Sequence, residues 1–134
     1  MSMQFWPRPR TSEVASRVPE YVEHVLERLS PLGVLDVRRL FSGLSLYCDD
    51  VIFALVFREQ IYLKVDDETR PVFEAEGSEP FQPRAGKKAM PYFTLPDHAM
   101  DDDEELLRWA RLGIDAGLRD QSRKEARKRP AKDR

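Results

Sequence analysis

Three apolar runs joined by two-residue links constrain the fold of this chain more than any other feature of its sequence. Residues 44–48 and 61–65 alternate apolar with polar side chains, whereas residues 51–57 are apolar on both faces. The links, Asp49-Asp50 and Arg58-Glu59, are long enough only for tight antiparallel hairpins. The sequence therefore predicts a three-stranded antiparallel meander over residues 44–65, with its middle strand covered on both sides.

Helical periodicity flanks this meander. Residues 16–33 carry valine and leucine at helical spacing, and residues 66–77 begin with acids, keep Pro71 in the first turn and end at Gly77. Residues 101–120 open with a run of acids that suits the positive end of a helix. The apolar stripe expected to face the core in this last helix consists of Leu107, Ala110, Ile114 and Leu118.

Two further strands are predicted outside the meander. One begins at residue 35, and the other spans residues 92–95 at a sheet edge, because Pro91 lacks an N–H group. The order of elements indicates an α+β fold, an antiparallel β-meander sheet with helices packed mainly on one face in a single domain. That domain is predicted over residues 16–118, between an extended arm (1–15) and a basic tail (119–134) that we expect to be disordered.

Charge is unevenly divided along the chain. Residues 119–134 hold eight basic and three acidic side chains, a net of +5, whereas residues 1–118 hold 14 basic and 21 acidic ones, a net of −7. Clustered cations neutralise phosphates, so a weak DNA contact is predicted for the tail, with a purely solubilising terminus as the alternative. The acidic body argues against DNA binding by the folded part. The candidate nucleic-acid-binding residues are Arg123, Lys124, Arg127, Lys128 and Arg129.

Residues that commonly carry catalysis or bind metals are few and poorly placed. Cys48 falls on an apolar strand face beside acids that oppose thiolate formation, so a buried structural thiol is favoured over a nucleophile. His24 and His98 have no partner at metal-ligand spacing, and the acid runs at 66–68 and 101–105 stand where helix caps are expected. We therefore predict no catalytic residue, no metal site and no cofactor, and a protein that is not an enzyme.

The compartment is inferred from what the sequence lacks. No apolar run is long enough to cross a bilayer, and the first ten residues have no apolar core of the kind found in secretory signals. A single cysteine leaves no intramolecular disulfide. We expect a soluble, cytoplasmic protein with no membrane partner.

The meander and its flanks also resemble a known family. The segments that carry the likeness are "RRLFSGLSLYCDDVIFALV", "IYLKVDDETRPVFEAEGSEPF", "AMPYFTLPD" and "DEELLRWAR". Together they resemble the N-terminal domain of the TfoX (Sxy) family of bacterial competence regulators, over residues 21–118. Asp50 stands where the family commonly has glycine in the hairpin turn, so we expect it to adopt a left-handed backbone conformation.

The resemblance implies a regulator. Longer family members act alongside a cyclic-AMP-responsive transcription activator, which implies a protein partner in the transcription machinery. Alternation predicts that Tyr47 and Tyr62 point away from Leu44 and Ile61, and we expect that face to contact the partner or a second copy in a homodimer. The alternative is a small-molecule-binding module or a rudimentary enzyme that uses a cleft between sheet and helices.

Overall fold

Six strands and three α-helices make up residues 18–40, 43–82 and 89–128, which are the residues described by the computed structural model. The helices are α1 (Glu20–Leu29), α2 (Arg70–Ala75) and α3 (Asp103–Lys128). The strands are β1 (Leu35–Leu40), β2 (Gly43–Cys48), β3 (Val51–Phe57), β4 (Gln60–Lys64), β5 (Pro80–Phe81) and β6 (Met90–Thr94). The predicted arm over residues 1–15 lies outside the described residues.

The strands form one open antiparallel sheet in the order β1-β2-β3-β4-β6-β5. The main apolar core lies between one face of this sheet and the three helices. The predicted α+β class, an antiparallel meander with helices on one face, is confirmed. Within the described ranges, no helix is both long enough and apolar enough to cross a bilayer.

The two hairpin links of the meander have the backbone conformation of tight turns between twisted strands. All four link residues have positive φ, with values of 51° at Asp49, 69° at Asp50, 51° at Arg58 and 66° at Glu59. Positive φ at both central residues is typical of type I′ turns, whose twist matches that of the strands. Asp49 also accepts the N–H of Val34 through Oδ1 at 3.0 Å. The left-handed conformation predicted for Asp50 is confirmed.

A β-bulge in β3 places two consecutive side chains in the same core. The pairing runs from Leu46↔Ala54 to Tyr47↔Ile52, so Phe53 is an extra residue without a partner of its own on β2. Phe53 and Ala54 are both fully buried in the core, although they are neighbours in sequence. In a regular strand, alternation would turn one of these two side chains away from the helices.

Helix α3 approaches the sheet through glycine. A Cβ atom added at Gly113 would stand 2.9 Å from the carbonyl oxygen of Phe53, and one at Gly117 would stand 2.4 Å from that of Ile52. Contacts this short would force the helix away from β3, since protein interiors are close-packed and yield little. The helix therefore reaches its observed distance from the sheet only because both positions lack a side chain.

The apolar stripe predicted for α3 is confirmed only in part. Ala110 is buried in the core and Leu107 and Ile114 are partly buried against it, whereas Leu118 is 47% exposed. The positions that meet the backbone of β3 are glycines, which a search for large aliphatic side chains does not find. The buried residues of α3 are Leu106, Trp109, Ala110, Gly113, Ala116 and Gly117.

Strand β6 lies inside the sheet, whereas Pro91 led us to predict an edge. It pairs with β4 on one side and with β5 on the other, so β5 is the edge strand. The β5–β6 pairing jumps from Pro80↔Phe93 to Phe81↔Met90, which leaves Pro91 in an irregularity where its missing N–H interrupts no ladder. The two-residue strand β5 is too short to show alternation, and for that reason it was not predicted.

The first part of the predicted tail is helical. Residues 119–128, expected to be disordered, continue α3 without a break. Ion pairs fix the start of this extension, because Arg119 contacts Asp66 and Asp120 contacts Lys64. The expectation of disorder is therefore corrected for residues 119–128, and residues 129–134 lie outside the described ranges.

We expect Gly117→Ala to lower the free energy of unfolding by about 1–3 kcal/mol, as overpacking of a tight contact does. The direction of this change is informative, because replacing glycine by alanine inside a helix otherwise stabilises the folded state by about 0.5–1 kcal/mol. Urea denaturation followed by circular dichroism measures the change, with Ser122→Ala at an exposed position of the same helix as control. A free energy of unfolding that is unchanged or raised in Gly117→Ala would contradict the close approach of α3 to β3.

Candidate functional site

The face of the sheet turned away from the helices carries a second apolar cluster, which we call the open face. Among the described residues, this cluster contains no side chain from a helix. Leu55, Phe81 and Tyr92 are buried at its centre, and the partly buried residues around them are Ile52, Phe57 and Tyr62. Alternation along β3 and β4 places these side chains opposite the main core, so within the described ranges the open face is an apolar surface that no helix covers.

Three aromatic rings determine the geometry of the open face. The ring centroid of Phe81 lies 4.6 Å from that of Tyr62, in a tilted arrangement, and 5.3 Å from that of Phe57, edge to face. Pairs of this kind contribute about 0.5–1.5 kcal/mol each beyond the area that they bury. The rings therefore hold one another in place, and a partner that binds here would meet a surface that is already ordered.

Both tyrosines predicted to form a partner surface have neighbours on the open side of the sheet. Tyr62 packs against Phe81, and burial, together with the charge of Glu79, raises the pKa of its hydroxyl. Tyr47 lies under the guanidinium of Arg38, which stands 4.0 Å from the ring centroid. Strand β3 separates the two tyrosines, so they occupy different parts of one surface and do not form a joint site.

The sequence reasoning missed the centre of the open face. Phe57 ends a run that is apolar throughout, and Phe81 stands in a proline-rich stretch, so neither shows the period of two that identified Tyr47 and Tyr62. The one available signal was aromatic content, since Phe81 and Tyr92 both directly follow a proline. That signal does not indicate which face of a strand a side chain occupies.

Cys48 is a buried thiol in the helix-covered core. It is 2% exposed, and its Sγ lies 3.6 Å from the carbonyl oxygen of Leu32. Burial raises the pKa of the thiol above its ordinary value, and the carboxylate of Asp49 raises it further. The predicted burial of Cys48 is confirmed, and a thiol that keeps its proton is a poor nucleophile.

Histidines and acids show no arrangement for metal binding in the part of the chain that the structure describes. His24 is exposed on α1, and Nε2 of His98 lies 3.2 Å from Oε2 of Glu76. No three potential ligands among His, Cys, Asp and Glu converge within the described ranges. The acid run before α3 caps the helix as predicted, because Oδ1 of Asp102 accepts the N–H of Glu104 at 2.9 Å.

Two ion pairs between α3 and the body of the domain form what we call the ionic seam. Arg119 contacts Asp66 at two points, with Nε 2.6 Å from Oδ2 and Nη2 3.1 Å from Oδ1. The next residue, Asp120, lies with Oδ2 3.3 Å from Nζ of Lys64. The same ammonium group stands 5.0 Å from the ring centroid of Tyr92, so the seam adjoins the open face.

The ionic seam shifts the pKa values of its members. Hydrogen bonds from the guanidinium of Arg119 lower the pKa of Asp66 to about 2. For Asp120 burial acts to raise the pKa, but hydrogen bonds and charges from two lysines outweigh it and leave the pKa lowered. Burial, together with the charge of Asp120, raises the pKa of Tyr92 to about 12. At neutral pH both acids are therefore ionised, and Tyr92 keeps its proton.

An open cleft of about 630 Å³ lies beside the ionic seam. Its charged side chains pair with one another, since Lys64, Arg123 and Lys124 all have a nitrogen within 4 Å of Asp120. Small-molecule sites are usually apolar pockets with a few directed polar groups. This cleft is polar and internally neutralised. Its charged lining residues include Lys64, Asp66, Arg70, Asp120, Arg123 and Lys124.

Four of the five predicted nucleic-acid-binding residues lie on the last two turns of α3. Arg123, Lys124, Arg127 and Lys128 are all exposed, and the fifth, Arg129, lies outside the described residues. The helix gives these four cations definite relative positions, which the expected disordered tail would not.

Comparison with known proteins finds a family model and a curated relative that match this chain. The family model of the TfoX N-terminal domain matches residues 27–117, a segment that contains the whole sheet and ends just before Arg119 and Asp120, the two residues that α3 contributes to the ionic seam. A curated relative, Protein Sxy of Escherichia coli (strain K12), is 24% identical over 110 residues. That alignment covers 77% of this chain and 50% of Sxy, so the chain spans about half the length of this relative.

The pKa of Asp66 predicts how stability changes in acid. Because the folded-state pKa, about 2, lies below the ordinary 3.8, the contact with Arg119 stabilises the fold above pH 4 and is lost as the pH falls toward 2. The contribution at neutral pH is at most about 2 kcal/mol. We expect Asp66→Asn to lower the free energy of unfolding by roughly this amount at pH 7 and much less at pH 2, measured by urea denaturation.

The control for this experiment is Asp67→Asn, because the neighbouring side chain is fully exposed. Asparagine keeps an oxygen that can accept the N–H groups of Glu68 and Thr69, so the local turn survives the substitution. If wild type and Asp66→Asn differ by the same free energy at both pH values, the ion pair does not carry the effect.

Because Cys48 is buried, we expect its thiol to react slowly with thiol reagents. We expect the native protein to react with an aromatic disulfide reagent at least about a hundredfold more slowly than the urea-unfolded chain, since reaction requires an exposed thiolate. Cys48→Ala should lower the free energy of unfolding by about 1 kcal/mol through the small cavity that it leaves. Absorbance of the released thiol measures the rate, and equal rates in native and unfolded protein would contradict the burial.

Proposed function

The chain belongs to the TfoX N-terminal domain family, and from that premise we propose that it is a non-enzymatic, competence-related transcription regulator that acts through protein–protein contacts in the cytoplasm. The observation that carries the contact mechanism is the open face. Every described residue of that face lies within the segment matched by the family model. The proposal therefore concerns the part of the chain that is shared with the family.

Aromatic side chains on a sheet face that no described helix covers support the choice of the open face as the partner surface. Interfaces are enriched in tyrosine and phenylalanine at their centre, where a few residues supply most of the binding energy. Here the partly buried rings of Phe57 and Tyr62 pack against the buried Phe81, and Arg38 and Asp50 supply charges of both signs near Tyr47. A partner with an apolar centre and a charged rim would fit this arrangement.

The enzyme alternative draws little support from the titratable groups. Asp66 has a pKa of about 2, which makes it a weak general base, and its charge is engaged by Arg119. The pKa of the Cys48 thiol is raised, which disfavours the nucleophilic form. The cleft that Asp66 lines is open, and its charges are paired with one another. We therefore prefer an interaction protein over a small-molecule-binding module or a rudimentary enzyme.

The experiment compares partner capture by three forms of the full chain. The immobilised wild type, the double variant Tyr47→Ser/Tyr62→Ser and the control Val72→Ser are exposed to an extract of the cell of origin. Val72 is 38% exposed on α2 and does not belong to the open face. Captured proteins are identified by mass spectrometry, and circular dichroism establishes that all three forms are folded.

We expect a component of the transcription machinery to bind wild type and Val72→Ser alike and to bind the double variant about tenfold more weakly or worse, because aromatic anchors at interface centres contribute about 1–2 kcal/mol or more. Equal capture by all three forms would contradict the role of the open face. If the wild type captures no transcription protein, the proposed regulatory function is contradicted. Sedimentation tests for self-association. If the wild type self-associates and the tyrosine substitutions abolish this, the partner at the open face is a second copy of the chain.

A further inference from the structure

The end of helix α3 projects beyond the body of the domain. Arg119 and Asp120 connect the helix to the body of the domain through the ionic seam. All residues of the next two turns, 121–128, are exposed. Within the described residues, neither Arg127 nor Lys128 is held in an ion pair, whereas Arg123 and Lys124 contact Asp120. The projection is therefore a solvated helical segment with its outermost cations unpaired.

The cations of this segment lie along one side of the helix, and we call them the basic stripe. Arg123 and Arg127 are four residues apart, as are Lys124 and Lys128, so each pair stacks along the axis at about 6 Å. At 100° per residue, the four side chains fall within an arc of about 140°. Gln121, Ser122, Glu125 and Ala126 occupy the rest of the circumference.

Distance separates the basic stripe from the acidic body. Residues 1–118 carry a net charge of −7, which would repel a polyanion from the folded part. Arg127 and Lys128 lie seven and eight residues beyond Asp120, or about 10–12 Å along the axis. The Debye length is about 8 Å at physiological ionic strength, so much of the repulsion is screened at the outer end of the stripe.

We propose that the basic stripe binds the phosphate backbone of double-stranded nucleic acid without reading its sequence. Exposed cations at regular spacing neutralise phosphates and release counterions, and they need no shaped pocket to do so. The described stripe offers no aromatic ring for base stacking, which disfavours single strands as the preferred ligand. This site lies outside the segment matched by the family model and is independent of the open face.

Two other polyanionic partners fit the stripe less well. An amphipathic helix that lies on an anionic membrane needs an apolar side to enter the lipid, and the largest apolar residue among 121–128 is Ala126. An acidic protein surface would need apolar anchors beside the charges to form a specific complex. Binding to a phosphate backbone requires only the positive charges of the stripe.

The test measures binding of the full chain to a short fluorescent DNA duplex of random sequence, by anisotropy, from about 50 to about 200 mM salt. The variants are Arg127→Gln/Lys128→Gln and the fourfold change that adds Arg123→Gln and Lys124→Gln. The matched control is Arg108→Gln/Arg111→Gln, which removes the same charge from exposed positions nearer the start of the same helix. Glutamine preserves helix propensity, and circular dichroism checks that each variant folds.

For the wild type we expect affinity to fall with salt, with a slope of log K against log salt that reflects about four phosphate contacts. The outer double variant should bind about tenfold more weakly at low salt and lose about 1.8 from that slope, and the fourfold variant should lose about 3.6. A duplex RNA of the same sequence should bind comparably. The control should match the wild type in both affinity and slope.

Three results would overturn the proposal. One is the absence of binding by the wild type at low salt. Another is an equal loss in the stripe variants and in the control, which would assign the effect to net charge alone. The third is binding to phosphatidylserine vesicles without binding to either duplex, which would identify an anionic membrane surface as the ligand.

Discussion

The close approach of helix α3 to strand β3 is the constraint on which the rest of the structure depends. Glycine at positions 113 and 117 brings the helix against the backbone carbonyls of β3. A continuous α-helix then determines where each later residue falls. Arg119 and Asp120 reach the margin of the sheet and form the ionic seam, and residues 121–128 extend into solvent. The described helices lie on one face of the sheet, and the opposite face carries its own cluster of apolar side chains.

The parts of this fold that depend on neighbouring residues could be predicted from the sequence. Two-residue links dictate hairpins, and the left-handed conformation of Asp50 follows from the turn that such a link requires. Burial of Cys48 follows from its phase within an alternating strand. The core face of α3 could not be predicted in this way, because it depends on how near the helix comes to the sheet. The last buried positions along the helix are Ala116 and Gly117, which a search for large apolar side chains does not find, whereas Leu118 is exposed.

The candidate surfaces likewise contain residues that local sequence predicts and residues that it does not. Tyr47 and Tyr62 could be assigned to the open side because their strands alternate. Phe81 could not, since it joins the open face through a strand only two residues long. In the ionic seam, Arg119 and Asp66 are 53 residues apart, and no sequence feature near Arg119 indicates that Asp66 is its partner. Composition alone made residues 119–128 appear disordered. The ion pairs at the base of that segment, together with its continuity with a packed helix, account for its order.

The open face and the basic stripe meet at the ionic seam but rely on different forces. Nζ of Lys64 stands near the ring of Tyr92 on one side and the carboxylate of Asp120 on the other. Binding at the open face would depend on burying apolar rings, which salt weakens little, whereas binding at the stripe would depend on exposed charges that salt screens. The seam itself is partly buried and is screened less than the stripe. Raising the ionic strength should therefore remove phosphate contacts first, while the helix that carries them remains attached to the sheet.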